Sequence, residues 1–114
     1  MKFTVVITTA PYGHERAYSA LRFALTSLLE GIHVNIFLIE DGVYLAKRSQ
    51  DPSGFPNYLE YLKNCIEAGA VVKACGPCCK ARGLKEEDLV EGVILGTMHD
   101  LVNFVKESDR VVTF

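Results

Sequence analysis

Apolar residues fall into short unbroken runs, separated by segments in which they recur at helical spacing. The runs cover residues 3–8, 33–39, 70–74, 93–95 and 110–114, and such runs are typical of strands buried on both faces of a parallel sheet. Residues 14–29, 57–68 and 97–108 carry apolar side chains every three or four positions, which predicts amphipathic helices. Shorter helical turns are predicted near residues 78–81 and 84–89.

The alternation of strands and helices predicts an α/β fold. Five strands joined by helical crossovers imply a mainly parallel five-stranded sheet within a three-layer sandwich of flavodoxin-like type. Residues 46–56 are polar and contain two prolines, so we expect an exposed loop long enough to act as a flap.

Composition narrows the class of protein. The chain has 114 residues, 49% of them hydrophobic and 23% charged, which predicts one compact soluble domain spanning residues 1–114. A net charge of −2 with scattered basic residues indicates neither nucleic acid nor an acidic membrane as partner. No apolar run approaches the roughly 20 residues that span a bilayer, and the first residues lead directly into a strand, so we expect a cytoplasmic protein.

The segment 72–83 holds three of the four cysteines where a strand meets a helix. In a reducing compartment, cysteines are more often thiols, metal ligands or redox groups than structural disulfides. Ligands of open parallel sheets bind at the carboxyl ends of the strands. The turns at residues 9–13, 41–42 and 96–97 are expected on that edge together with Cys75.

Cys75 is the candidate nucleophile. A thiol reacts as its thiolate, and a position just before a helix N-terminus favours the anion. Gly76 allows a tight turn, Pro77 suits the first turn of a helix, and Arg82 adds positive charge nearby. The alternative interpretation is that Cys75 is a small buried hydrophobic residue.

The neighbouring cysteines leave other chemistries open. Cys75 and Cys78 have the spacing of a dithiol redox motif, with Cys78 as a possible resolving thiol. A zinc site would need Cys79 and a distant histidine as well, and since only one cysteine knuckle is present we expect no metal. Cys79 and Cys65 are interpreted as packing residues.

Two further pairs of residues could contribute to the site. His14 and His99 open helices and could serve as acid, base or anion contact, although solvated helix-end residues are the favoured interpretation. Asp41 and Gly42 are most simply a turn, and they are candidates for shaping the site. Residues 9–13 lack the glycine patterns of nucleotide-binding loops.

The chain resembles the DsrE/DsrF-like family, which includes a subunit of the sulfur relay used in tRNA thiouridine synthesis. The resemblance runs nearly end to end through residues 5–9, 39–43, Cys75, 81–84 and 108–112. It implies that Cys75 accepts sulfane sulfur as a persulfide and passes it to another protein thiol, without metal or organic cofactor. It also implies a homo-oligomer, a trimer or hexamer, with a protein sulfur donor and acceptor. Cys78 and Cys79 are additions to the pattern of that sulfur-relay subunit.

A sulfur carrier or sulfurtransferase subunit is therefore the leading hypothesis. Two rivals remain, namely a dithiol redox protein that uses Cys75 and Cys78, and a non-catalytic oligomeric binding module in which the cysteines pack.

Overall fold

The computed structural model describes residues 1–114 as one parallel sheet with helices on both faces. The strands are β1 (Lys2–Ile7), β2 (His33–Leu38), β3 (Val71–Cys75), β4 (Val93–Gly96) and β5 (Arg110–Thr113). The α-helices are α1 (Arg16–Leu29), α2 (Tyr58–Glu67), α3 (Gly76–Ala81) and α4 (Met98–Glu107). Two 3-10 helices cover Glu40–Ala46 and Glu86–Asp88. The predicted α/β sandwich is confirmed, with element bounds shifted by a few residues at most.

The strand order is β4-β3-β2-β1-β5, and every pair is parallel. The three layers resemble those of flavodoxin, but the strand order differs, since flavodoxin has the order 2-1-3-4-5. The steps from β1 to β4 all run in one direction across the sheet, so right-handed crossovers put α1, α2 and α3 on one face. The connection from β4 returns to the far edge, and α4 therefore lies on the other face.

Side chains of β1 show this division between the two faces. Phe3 stacks on Phe23 of α1 with ring centroids 5.9 Å apart. The next residue, Thr4, points the opposite way and donates a hydrogen bond to the carbonyl oxygen of Phe104 in α4, at 3.1 Å. Such alternation follows from the two-residue period of a strand.

The main core lies between the sheet and the pair α1 and α2. Its fully buried members include Val5, Ile7, Leu21, Ile36 and Leu62. Burial of one such Leu or Ile side chain contributes roughly 2 kcal/mol. None of the helices combines the length and apolar character needed to cross a membrane.

The sheet face under α4 carries more polar side chains than the face under α1 and α2. Its edges are also less completely covered by helix. Lys73 of β3 pairs with Asp100 of α4 at 2.9 Å, and this hydrogen bond lowers the pKa of Asp100. Asn35 donates to Glu107 at 2.8 Å. The large apolar side chains left exposed on this face are Val71, Ile94 and Val111 of the strands and Met98, Val102 and Val105 of α4.

Two segments differ from the sequence interpretation. Asp41 and Gly42 belong to a 3-10 helix, not to a simple turn. The loop that follows is fastened along its first half, because Gln50 donates to the carbonyl oxygens of Leu45 and Lys47 at 2.9 and 3.0 Å. These hydrogen bonds of the Gln50 side chain argue against a freely moving flap in the first half of the loop.

Gly42 packs directly against the backbone of β1. A Cβ atom at this position would overlap the carbonyl oxygen of Ile7, and backbone cannot move aside as a side chain can. We expect Gly42→Ala to lower the free energy of unfolding by about 3 kcal/mol or more, at the upper end of overpacking effects. Gly13→Ala is the matched control, since nothing lies within 4 Å of its Cβ position. Urea denaturation of both variants measures the difference, and equal stabilities would contradict the expectation.

Candidate functional site

Most of the predicted site residues meet at the carboxyl ends of β2 and β3. Cys75 ends β3 and caps α3, Cys78 lies in α3, and Arg82 follows that helix. The Glu40–Ala46 helix crosses the same edge and brings Asp41 to Arg82, with Arg82 Nε 2.9 Å from Asp41 Oδ1. We call Cys75, Cys78, Asp41 and Arg82, with the Glu40 amide, the thiol site.

Cys75 is held tightly at the strand–helix junction. The residue is only 9% exposed, and its Sγ accepts a hydrogen bond from the Cys78 amide at 3.3 Å. Gly76 opens α3, and a Cβ at this position would make an ordinary van der Waals contact of 3.4 Å with the Gly96 carbonyl oxygen. Pro77 starts the helix without losing an amide hydrogen bond.

The electrostatic environment of Cys75 differs from the sequence expectation. Burial raises the pKa of the Cys75 thiol, and a hydrogen bond with the Cys78 side chain raises it further. The Cys78 amide and the Arg82 guanidinium lower this pKa, as expected for a helix-capping thiol, but they do not outweigh burial. The expectation of a favoured thiolate at Cys75 is therefore wrong for the resting thiol, because desolvation of the anion is the larger effect.

Cys78 is the more accessible of the two thiols and has a different hydrogen-bond partner. Its Sγ accepts the backbone amide of Glu40 at 3.2 Å. Glu40 has a φ of 55°, which is uncommon for a residue with a side chain. Strained conformations of this kind are often found at functional sites, and here the strain belongs to the residue whose amide contacts the sulfur.

Arg82 joins the two sides of the thiol site. Besides its contact with Asp41, its Nη1 donates to the Cys78 carbonyl oxygen at 3.1 Å. The hydrogen bond to Asp41 is the largest of the effects that raise the pKa of Arg82. Asp41 and Arg82 therefore form a fixed ion pair beside the thiols and do more than shape a turn.

The remaining cysteines are packing residues. Cys65 is fully buried and burial raises its pKa to about 12, while Cys79 is 1% exposed and burial raises its pKa as well. A cavity of about 400 Å³ lies beside Cys79, lined also by Gly76, Lys80 and Leu84 among others.

Other candidates lie apart from the thiol site. His14 and His99 are both exposed. His14 and Tyr12, near the end of β1, line a separate aromatic cavity of about 280 Å³ with Tyr18, Phe55 and Tyr58. The side chains form no group of three or more histidine, cysteine or acidic residues arranged to hold a metal ion.

The Glu40 amide is the contributor that sequence reasoning missed. A backbone donor carries no residue-type signal, and Glu40 lies 38 positions from the thiol it contacts. Gly42 was the available clue, since a glycine after a buried strand often marks close backbone approach.

The fold is a parallel α/β sheet. A cysteine ends its third strand, and the thiol of that cysteine caps the helix that follows. A family model, the DsrE/DsrF-like family, matches residues 1–114. The chain belongs to this family.

Individual relatives match over their full length. The chain is 79% identical over 114 residues to the uncharacterized protein MJ0989 of Methanocaldococcus jannaschii, with all of both chains covered. The crystal structure of the ychN protein of Escherichia coli covers 100% of both chains with a TM-score of 0.92 and 30% identity. The sulfurtransferase TusD of Cronobacter sakazakii is 29% identical over 128 residues, again covering 100% of both.

The raised pKa of Cys75 predicts its reactivity as a function of pH. Its thiolate fraction is small at neutral pH and grows as the pH approaches the raised pKa, so alkylation of Cys75 by iodoacetamide should reach half of its maximal rate only above the ordinary thiol value of 9.0. Peptide mass spectrometry measures the rate at this residue. A half-maximal rate at or below that pH would contradict the direction of the shift.

The same assay tests the charge of Arg82. Because the guanidinium lowers the pKa of Cys75, Arg82→Gln should raise it further and slow alkylation at a fixed pH near neutrality. Lys80→Gln removes a positive charge from the same helix without removing a contact to the thiol site, and is expected to leave the rate unchanged. Equal rates for the two variants would show that Arg82 has no such influence.

Proposed function

We propose that this protein is a small sulfur carrier that holds sulfane sulfur as a persulfide on Cys75. The observation that carries the proposal is the position of Cys75, which ends β3 with its sulfur accepting the Cys78 amide and with Arg82 nearby. The same amide and guanidinium would stabilise the negative charge of a persulfide at this sulfur. Membership of the DsrE/DsrF-like family, and the likeness to a relative named sulfurtransferase TusD, support the same function.

The transfer chemistry needs neither oxidant nor organic cofactor. The Cys75 thiolate attacks the outer sulfur of a donor persulfide, the donor S–S bond breaks, and its electron pair leaves with the donor thiolate. An acceptor thiolate then attacks the outer sulfur on Cys75, and Cys75 leaves as thiolate. Donor and acceptor are thiol proteins, and the whole cycle takes place in the reducing cytoplasm.

Replacement of the carrier thiol tests the proposal. We expect wild-type protein incubated with glutathione persulfide and then desalted with added thiol to gain the mass of one sulfur atom, and Cys75→Ser to retain none. The fold should survive, because serine is close in size to cysteine at a site that keeps some exposure. Cys79→Ser is the matched control and should retain sulfur as wild type does. Intact-mass spectrometry reports both, and sulfur retained by Cys75→Ser would refute carriage by this residue.

A dithiol redox protein is the second candidate function. The observation in its favour is that Cys75 and Cys78 are hydrogen-bonded neighbours three residues apart. Oxidation to a disulfide would remove two hydrogens and would need both thiols, whereas persulfide formation adds a sulfur. Intact mass after treatment with oxidised glutathione, with each single serine variant as control, separates the two functions.

We also propose that the chain forms a homo-oligomer, a trimer or a hexamer, through its α4 face. Met98, Val102 and Val105 are 60%, 49% and 42% exposed along one helix, and Ile94 of the adjoining edge strand is 55% exposed. Apolar side chains collected on one face are the usual mark of an interaction surface.

Disruption of this surface has a simple readout. We expect light scattering to give three or six times the chain mass of 12.6 kDa for wild type, and a smaller species for Val102→Asp, because a buried carboxylate in an apolar interface is strongly unfavourable. Leu29→Asp, at an exposed residue of α1 on the opposite face, is the control. A monomeric wild type, or an unchanged mass for Val102→Asp, would contradict the proposed interface.

A further inference from the structure

The two thiols of the site differ in access. Cys75 is 9% exposed and lies at the end of an interior strand, whereas Cys78 projects from α3 and is partly open to solvent. An incoming persulfide must bring its outer sulfur into line with the attacking thiolate, which requires room around the sulfur atom. Cys78 provides that room and Cys75 provides little.

Their hydrogen bonds also differ in origin. The Cys75 sulfur takes its amide bond from the peptide of Cys78 in the same turn. The Cys78 sulfur takes its bond from Glu40, in a segment held rigidly against β1 by Gly42. A fixed amide donor stabilises the negative charge that develops on Cys78 whenever it attacks or leaves.

The Asp41 carboxylate does not cancel this stabilisation. Asp41 is bound by the Arg82 guanidinium at 2.9 Å, so its charge is compensated locally. Arg82 also holds the carbonyl oxygen of Cys78, which keeps the guanidinium beside that residue.

We propose that Cys78 is the thiol that exchanges sulfur with external thiols, and that Cys75 stores the sulfur taken in through it. This inference rests on the proposed function, because it divides one carriage reaction between two adjacent thiols. It assigns to Cys78 a step that the single-thiol scheme gives to Cys75.

Each step is a balanced exchange. The Cys78 thiolate attacks the outer sulfur of the external persulfide, the external S–S bond breaks, and the external thiolate departs with the electron pair. The Cys75 sulfur then attacks the outer sulfur on Cys78, that S–S bond breaks, and the Cys75 proton passes to the departing Cys78 sulfur. A persulfide and a thiol give a thiol and a persulfide, so there is no net oxidation.

The environment of Cys75 favours storage once the sulfur arrives. Burial raises the pKa of Cys75, and a more basic thiolate is a stronger nucleophile and a poorer leaving group in thiol exchange. The outer sulfur therefore leaves Cys75 slowly when an external thiol attacks, and low exposure limits that attack further.

Time-resolved loading distinguishes the two thiols. Protein is mixed with glutathione persulfide, quenched with iodoacetamide at intervals, and mapped by peptide mass spectrometry. We expect the added sulfur on Cys78 first and on Cys75 later. Loading of Cys75 in Cys78→Ser and Cys78→Ala should be slower by about tenfold or more, because the external persulfide must then react directly with a thiol that is only 9% exposed. Cys79→Ser is the control and should load at the wild-type rate.

Each outcome decides the inference. In Cys75→Ser, rapid quenching should trap sulfur on Cys78, and desalting with added thiol should remove it. Wild-type rates in both Cys78 variants would overturn the exchange role and leave carriage by Cys75 intact. No sulfur on either thiol of the wild type would refute the proposed function itself, and the exchange role with it.

Discussion

The close packing of Gly42 on β1 is the constraint on which the thiol site depends. The amide of Ile39 donates to the carbonyl oxygen of Ile7 at 3.0 Å, and the amide of Gly42 donates to the carbonyl oxygen of Ile39 at 2.9 Å. Only a residue without a side chain allows the backbone so near to Ile7. The Glu40–Ala46 helix thereby runs against the sheet edge, and from that position the Glu40 amide contacts Cys78 while Asp41 holds Arg82.

Two opposing effects decide the chemistry of Cys75. The end of a buried strand gives it an apolar environment, which stabilises the neutral thiol, and the start of α3 gives it an amide and a nearby guanidinium, which stabilise the anion. Burial is the larger effect at rest. A thiol in this balance reacts slowly with general electrophiles, yet it retains donors that can stabilise a persulfide anion once sulfur is attached. Protection and carriage are thus compatible in one residue.

Much of the fold could be predicted from local patterns, because apolar runs and helical spacing are properties of neighbouring residues. The Thr97–Asp100 capping box at the start of α4 is also a local pattern, since its two residues lie within one helical turn, and both of its hydrogen bonds are present. The contact between Glu40 and Cys78 could not be predicted, since every residue type except proline has the same backbone donor. The raised pKa of Cys75 could not be predicted, because the burial of this residue depends on packing between distant segments and not on the residues next to it in the sequence.

The unequal covering of the sheet follows from its topology. Five strands spaced about 4.8 Å apart span roughly 19 Å, and a single helix about 10 Å across cannot cover them. With α4 alone on its face, apolar side chains remain open at both edges, Val71 and Ile94 on one side and Val111 on the other. Cys78 belongs to α3 on the opposite face, and Cys75 lies at the carboxyl edge of the sheet where that helix begins. An assembly that buries the α4 face would leave Cys78 accessible, so that the proposed association and the proposed sulfur exchange would use different parts of the same sheet.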